Sequence, residues 1–398
     1  MNLVLVADAF PPMKTSGAVQ MRDLVSELAS KGHQLTVLLP DSTIEGNWER
    51  EEYSYNVTLL RLRALPTKDI HYLWRAIGEQ LLSFFMYQNL KRSPFRDATW
   101  DALIWYSPTI FFGSLVHRIK KKSACPAYLI LRDIFPEWAV DTGLLSRGFI
   151  YKYFKKVERY QYEQADFIGV QTSSNIRYFA EEQKGLNGEI EVLNNWLSNP
   201  HPMLCSIQLS DSSLAGRRIF IYTGNIGIAQ GMDILIDLAD VMKTDKSVGF
   251  VFVGRGTAVA HIKERAAGMG LSNILFFDEI DPNEIPSLLQ QCHAGLIALD
   301  PRHRNDNIPG KFLAYMQSGL PVLGNINAGN DLVALVEEHR VGKVISTNSL
   351  YDLQAAASDL LVQLESDDGM RARCLDLANL QFSARSAARQ VVDALKRV

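Results

Sequence analysis

The sequence has no run of about 18 apolar residues, the length a bilayer-spanning helix needs, so no membrane span is expected. Its first apolar stretch, NLVLVA, meets an acid at Asp8 and has no basic segment before it. That is too short and wrongly flanked for a secretory signal. Cysteine is scarce: the four, at 125, 205, 292 and 374, stand far apart and form no metal-type pair. This weighs against a zinc ribbon or a disulfide framework and suits reduced thiols in a cytosolic protein. Charge of one sign is lacking too; a net charge of −3 gives no bulk attraction to nucleic acid. The eight histidines form no cluster, and low-complexity tracts and short-period repeats are absent. No GxGxxG follows the first apolar run, which removes the usual signature of a nicotinamide dinucleotide site.

What is present is a repeated alternation of strand and helix. At 398 residues the chain is long for one core, so two domains are expected. Residues 2–7 read as a strand, DAFPPMKTSG as a polar loop, and Ala18, Met21, Leu24, Val25 and Leu28 as the apolar face of a helix ending at Gly32. The strand QLTVLLP follows, giving a βαβ opening and hence a parallel, twisted sheet. Further strands are predicted at 56–62, 102–106, 127–131, 167–171 and 189–195. A second series starts at 218 and continues with strands at 248–254, 274–280, 294–300, 320–326 and 342–347. The expected fold class is therefore α/β, with two Rossmann-like domains facing across a cleft. Their expected extents are 1–200 and 201–381, joined by a Pro/Ser-rich linker near 196–216, with a terminal helix at 382–398 packing back on the first domain.

In open α/β sheets, ligands bind beyond the carboxyl ends of the strands, and that rule selects five loops. In DAFPPMKTSG, Gly17 at a helix start either lets backbone approach an anion or forms a simple βα turn. In LRDIFPEWAVDTG (131–143), Arg132, Asp133 and Glu137 crowd the mouth of a strand. Charged groups there suit sugar hydroxyls or an acceptor, or else form a salt-bridged cap. YTGNIGIAQG (222–231) spaces its glycines GxxGxxxG from Gly224, a loop whose N–H groups can cradle phosphate. VGRGTAVAHIKERA sets Arg255 between two glycines straight after a strand, where its rigid fork suits phosphate or a base edge. Finally, in IPGKFLAYMQSGLPVLG (308–324), Pro309 and Gly310 break the chain and Lys311 opens a short helix. A cation there opposes the helix dipole by ~0.5 kcal/mol, unless an anion sits between the ammonium and the helix N–H groups.

Over nearly its whole length the chain resembles the GT-B glycosyltransferases of family 4. FPP…SGAVQMRDLVSELASKGHQLTVL is similar to that family's N-terminal loop and first helix, and LRDIFPEWAVDTGLL to its DLWPE variant. IYTGNIGIAQGMDILIDLA and FVFVGRG…LSNILFFDEIDPNEIPSLLQQCHAGLIAL resemble its C-terminal domain, and IPGKFLAYMQSGLPVLG a subgroup pattern of proline, small residue and lysine before a helix and GxPV. The resemblance implies a GT-B fold and a hexosyltransferase of bacterial surface-polysaccharide assembly, O-antigen or capsule. It implies a UDP-sugar donor as substrate, no cofactor, no metal ion and retention of anomeric configuration. Gly17 would approach the diphosphate, with Gly224 and Asn225 in the donor loop. Arg255, Glu279 and Ile280 would flank the nucleoside, and Asp306, Ile308 and Pro309 would lie beside the donor sugar. Lys311 would neutralise the leaving diphosphate, and Arg132, Asp133 and Glu137 would meet sugar or acceptor hydroxyls. Lys311, Asp133 and Asp306 are the catalytic candidates.

Three departures from the family pattern matter. Two glutamates eight residues apart become Asp306 and Ala314, and alanine cannot grip a ribose. An arginine and a lysine in the glycine loop become Asn225 and Gln230, which raises the load on Lys311 and Arg255. The usual histidine near 131–137 becomes Arg132 or Asp133. Basic and aromatic residues interleave at 71–92, 117–122 and 146–160, a pattern suited to a bilayer surface. The expected partners are a UDP-sugar, a polyprenyl-diphosphate-linked glycan acceptor and an anionic membrane surface, with no nucleic acid. The expected location is the cytoplasm, peripheral at the inner face of the cell membrane. By resemblance the donor sugar leans toward an N-acetylated deoxyhexosamine such as N-acetyl-L-fucosamine. The competing readings are a UDP-sugar 2-epimerase of the same fold and a non-catalytic nucleotide-sugar-binding partner.

Overall fold

The computed structural model describes residues 1–13, 15–67, 70–197, 202–227, 230–300 and 308–398. It is α/β and divides into two compact units, residues 1–195 with 384–398, and residues 196–383.

The first unit is built on strands β1 (Asn2–Val6), β2 (Gln34–Asp41), β3 (Trp48–Ser54), β4 (Val57–Arg63), β5 (Ala102–Ser107), β6 (Ala127–Leu131), β7 (Phe167–Val170) and β8 (Glu189–Val192). They lie in the order β3-β4-β2-β1-β5-β6-β7-β8, parallel throughout except at β3–β4. Inner strands such as ALIWYS and AYLIL are buried along their full length, as parallel strands between helices are. The helices are α1 (Ser16–Ser30), α2 (Tyr72–Leu90), α3 (Gly113–Ser123), α4 (Glu137–Asp141), α5 (Phe149–Tyr162) and α6 (Ser173–Glu182). The apolar face read for α1 is fully buried, and the Thr15 hydroxyl caps the helix by accepting from the Ala18 N–H. β3 lies outside the sequence pattern because WEREEYS is a charged, exposed edge strand, where charge discourages further pairing.

The second unit carries β9 (Arg218–Thr223), β10 (Val248–Val253), β11 (Ile274–Phe277), β12 (Ala294–Ala298), β13 (Val322–Asn325) and β14 (Gly342–Ile345), in the order β11-β10-β9-β12-β13-β14 and all parallel. Its helices are α7 (Asp233–Val241), α8 (Val259–Gly268), α9 (Ile285–Leu289), α10 (Gly310–Gln317), α11 (Leu332–His339), α12 (Leu350–Ser366) and α13 (Met370–Gln381). The strand expected at 274–280 stops at Phe277, since its neighbour β10 ends opposite at Val253. That leaves Glu279 and Ile280 in a loop. The last helix, α14 (Ala384–Leu395), returns to the first unit. There Gln390 donates to the Val192 carbonyl at 2.8 Å and Arg397 pairs with Glu189 and Glu191 at 2.7 and 3.0 Å, covering the β8 edge.

Strand order reverses between β1 and β5 in one sheet and between β9 and β12 in the other. These are the switch points at which open α/β sheets leave a crevice. β9 and β12 pair only at Phe220–Ala294 and Ile221–Gly295 and then part. The Tyr315 hydroxyl enters the gap, accepts from the Thr223 N–H at 3.2 Å and lies 3.3 Å from the carbonyls of Ile221 and Leu296. Gly295 makes this possible, because a Cβ there would stand 2.3 Å from the Tyr315 ring.

Candidate active site

A cavity of about 530 Å³ opens at the carboxyl ends of β9, β10 and β11. Four separate stretches wall it: Thr223–Asn225, Val253–Arg255, the turn from Glu279 to Ile285, and Lys311 of α10. Six residues singled out from the sequence thus meet in one place: Gly224, Asn225, Arg255, Glu279, Ile280 and Lys311. The first two loops cross tightly. Gly254 has φ +152°, and a Cβ on it would sit 1.9 Å from the Gly224 carbonyl, so only glycine fits. Main-chain bonds from Gly224 N–H to Val253 O (2.9 Å) and from Ile226 N–H to Arg255 O (2.8 Å) stitch them together. Asn225 donates to the Gln230 side-chain carbonyl at 3.1 Å, and the same oxygen accepts the Gly227 N–H at 2.9 Å. Asn225 and Gln230, expected from the resemblance to stand in place of loop cations, pin the loop. Ile280, Pro282 and Ile285 give the far wall an apolar face, and Arg255 and Glu279 form an exposed ion pair of 2.9 Å.

Lys311 is the second residue of α10, whose N-cap is Pro309 with no side-chain cap. Its Nζ donates to the Tyr222 hydroxyl at 2.9 Å and stands 4.4 Å from the centre of that ring. Burial pushes the ammonium down to about 8. Among the described residues no carboxylate pairs with it. A desolvated cation, a helix N-terminus and a glycine loop facing one cavity make a site for an anion. Ile308 packs against the apolar core beneath, and Asp306 lies outside the described residues.

In the first unit a cavity of about 500 Å³ lies at the β1/β5 switch point, lined by Asp8 after β1, Pro108–Phe111 after β5, and Asp133, Phe135 and Trp138 after β6. Burial raises the Asp133 carboxyl, against the pull of the neighbouring Arg132 charge. A carboxylate among aromatic faces suits sugar hydroxyls. The other two charges of that loop do not reach this lining. Arg132 is buried and donates to the carbonyls of Leu193 (2.8 Å) and Asn194 (3.5 Å), and burial pushes it down to about 10. It clamps main chain at the end of β8 rather than meeting a sugar. Glu137 accepts from the Tyr151 hydroxyl at 2.8 Å and pairs with Lys155 at 3.2 Å, which ties α4 to α5. Lys155 also pairs with Glu158, whose buried carboxyl is pushed up to about 7. Gly17 lies in the first turn of α1, where a Cβ would stand 2.6 Å from the Tyr106 hydroxyl, so close packing accounts for the glycine. Sequence reasoning passes over Tyr222, Pro282 and Ile285. The signal for Tyr222 is a tyrosine that follows the apolar run IFI of β9, directly before the glycine loop.

Residues 217–363 match the family model described as Glycosyl transferases group 1, a range that contains the whole lining of the second unit's cavity. WbjE of Pseudomonas aeruginosa, named as a glycosyltransferase, is 23% identical over 219 residues, 54% of this chain and 54% of that relative. The chain thus covers about half the length of that relative. WcaI of Escherichia coli, named as a colanic acid biosynthesis glycosyl transferase, is 23% identical over 330 residues, 74% of this chain and 76% of the relative. In fold the chain is similar to HepE of Anabaena, solved with UDP and glucose, at a TM-score of 0.65 and 14% identity over 100% of both chains. The chain has the fold of the GT-B glycosyltransferases, and the stretch that matches the group 1 family model lies within its second unit.

Proposed function

We propose that the protein moves a sugar, an N-acetylated hexosamine or deoxyhexosamine, from a UDP-sugar to a polyprenyl-diphosphate-linked glycan in surface-polysaccharide assembly. One observation carries the reading: Lys311 meets the cavity as a desolvated cation beside a helix N-terminus and a glycine loop. Breaking the bond between the sugar's anomeric carbon and the β-phosphate oxygen leaves negative charge on that phosphate. The ammonium and the first N–H groups of α10 stabilise it as it develops, without a metal ion supplying the charge. The apolar wall of Ile280, Pro282 and Ile285 takes the base, with Arg255 and Glu279 beside the nucleoside. Asp133 serves hydroxyls of the acceptor in the other unit. The acceptor hydroxyl attacks the anomeric carbon on the face from which the diphosphate leaves and gives its proton to the departing phosphate oxygen, so retention needs no nucleophilic side chain. The test is nucleoside diphosphate release across a panel of UDP- and GDP-sugars. Lys311→Ala should lower turnover by about 10²–10³, and turnover like the wild type would sink the role.

The acceptor side of the reading is supported by the surface of the first unit. Trp74, Ile77, Leu81 and Phe84 are exposed at helical spacing along α2, and Phe149, Ile150 and Tyr153 are exposed on α5. The Tyr153 hydroxyl bonds Gln80, which joins the two helices, and Arg75, Arg147, Lys152 and Lys156 lie exposed among them. An apolar patch ringed by cations fits an anionic bilayer surface, with the protein peripheral at the inner face of the cell membrane. Among the described residues no helix is long and apolar enough to cross a membrane.

A further inference from the structure

The second unit's sheet carries an aromatic ladder. Phe220 stacks on Phe250 at 5.5 Å, Tyr222 on Phe252 at 6.1 Å, and Phe252 on Phe276 at 5.4 Å. All are phenylalanine except Tyr222, which sits at the end of β9 nearest the cavity and is fully buried. Phenylalanine would fill the same space, so packing does not explain the hydroxyl. Its bonds do not serve the core either. It accepts from Lys311 Nζ at 2.9 Å and donates to the Asn225 carbonyl at 2.7 Å. An ammonium cannot accept and a carbonyl cannot donate, so the direction of both bonds is determined.

We propose that Tyr222 is a positioning residue of this site: its hydroxyl holds the Lys311 ammonium in register with the glycine loop, so that a nucleoside diphosphate meets both together. The inference rests on the reading of Lys311 as the donor-site cation. The tie extends one bond further, since Ile226, next to Asn225, donates its N–H to the Arg255 carbonyl at 2.8 Å. One hydroxyl thus links α10, the glycine loop and the Arg255 loop. A neutral partner also does what a carboxylate could not: it orients the cation without cancelling its charge. The ring face, 4.4 Å from Nζ, adds a second attraction of the same kind. This arrangement accounts for a site in which Asn225 and Gln230 replace the family's loop cations and precision falls on one lysine. Among the described residues, the ionisable groups that line the cavity with Lys311 are Arg255 and Glu279, on the loops after β10 and β11; Tyr222 on β9 is buried and meets Lys311 from outside that lining.

The test is Tyr222→Phe in the full chain, with two measurements. In an NMR titration of the Lys311 side chain, losing the acceptor hydroxyl disfavours the charged form, so the midpoint should fall by roughly one pH unit. By calorimetry, UDP affinity should fall about tenfold. Tyr222→Phe should add no further loss to Lys311→Ala, because it acts through the lysine. An unmoved Lys311 midpoint overturns the proposal whatever the donor is, and so does an equal loss of UDP affinity in the Lys311→Ala background. A wild-type chain that does not bind UDP, with the midpoint still moved by the variant, supports the positioning role and removes the donor reading instead.

Discussion

Exchanging Lys311 for methionine should make the second unit more stable while abolishing its anion binding. Burial pushes the ammonium down from its ordinary 10.5 to about 8. At ~1.36 kcal/mol per unit, the charged form is disfavoured at pH 7 by about 3 kcal/mol. Methionine fills a similar volume without charge but forfeits the bond to Tyr222 and the contact with its ring, together about 1–2 kcal/mol. The variant should therefore gain about 1–2 kcal/mol at pH 7. The sign with pH follows from the depressed value. The folded chain releases this proton near pH 8 and the unfolded chain holds it to 10.5, so wild-type stability from this group rises across that window. The advantage of methionine should shrink over the same range. Urea unfolding of both chains at pH 7 and pH 10, with UDP titrated into each at pH 7, checks the reasoning. A methionine variant less stable at pH 7, or an advantage that does not change with pH, would refute it.

Two further outcomes are expected. Tyr315→Phe leaves the buried Thr223 N–H without its acceptor where β9 and β12 part, so the unfolding free energy should drop by about 1–3 kcal/mol; an unchanged urea midpoint would show the hydroxyl to be idle. Trp74→Glu combined with Phe149→Glu places charge in the exposed patch of α2 and α5 and should lower flotation with anionic vesicles about tenfold; undiminished flotation would remove the membrane face.

Much of the architecture could be read from local pattern. Strand and helix periods repeat over a few residues, so the βα alternation, the buried face of α1 and the loops that follow strands are visible without a structure. Because ligand sites lie past strand ends, Gly224, Arg255 and Lys311 could be named as candidates, and the cavity of the second unit brings them together. Pattern fails where the outcome depends on a partner far along the chain. Arg132 and Asp133 are neighbours, yet one turns inward to the carbonyls after β8 and the other faces a cavity. No period distinguishes them, since a loop has none. β3 escapes notice because an edge strand need not alternate, and although the return of the last helix to the first unit is expected, its place on the β8 edge is set by contacts some 200 positions apart. The meeting of Tyr222 and Lys311 spans 89 positions and depends on how α10 is laid over the end of β9. Local sequence can place a cation at a helix start; only the packed sheet supplies the hydroxyl that holds it and the burial that strips its water.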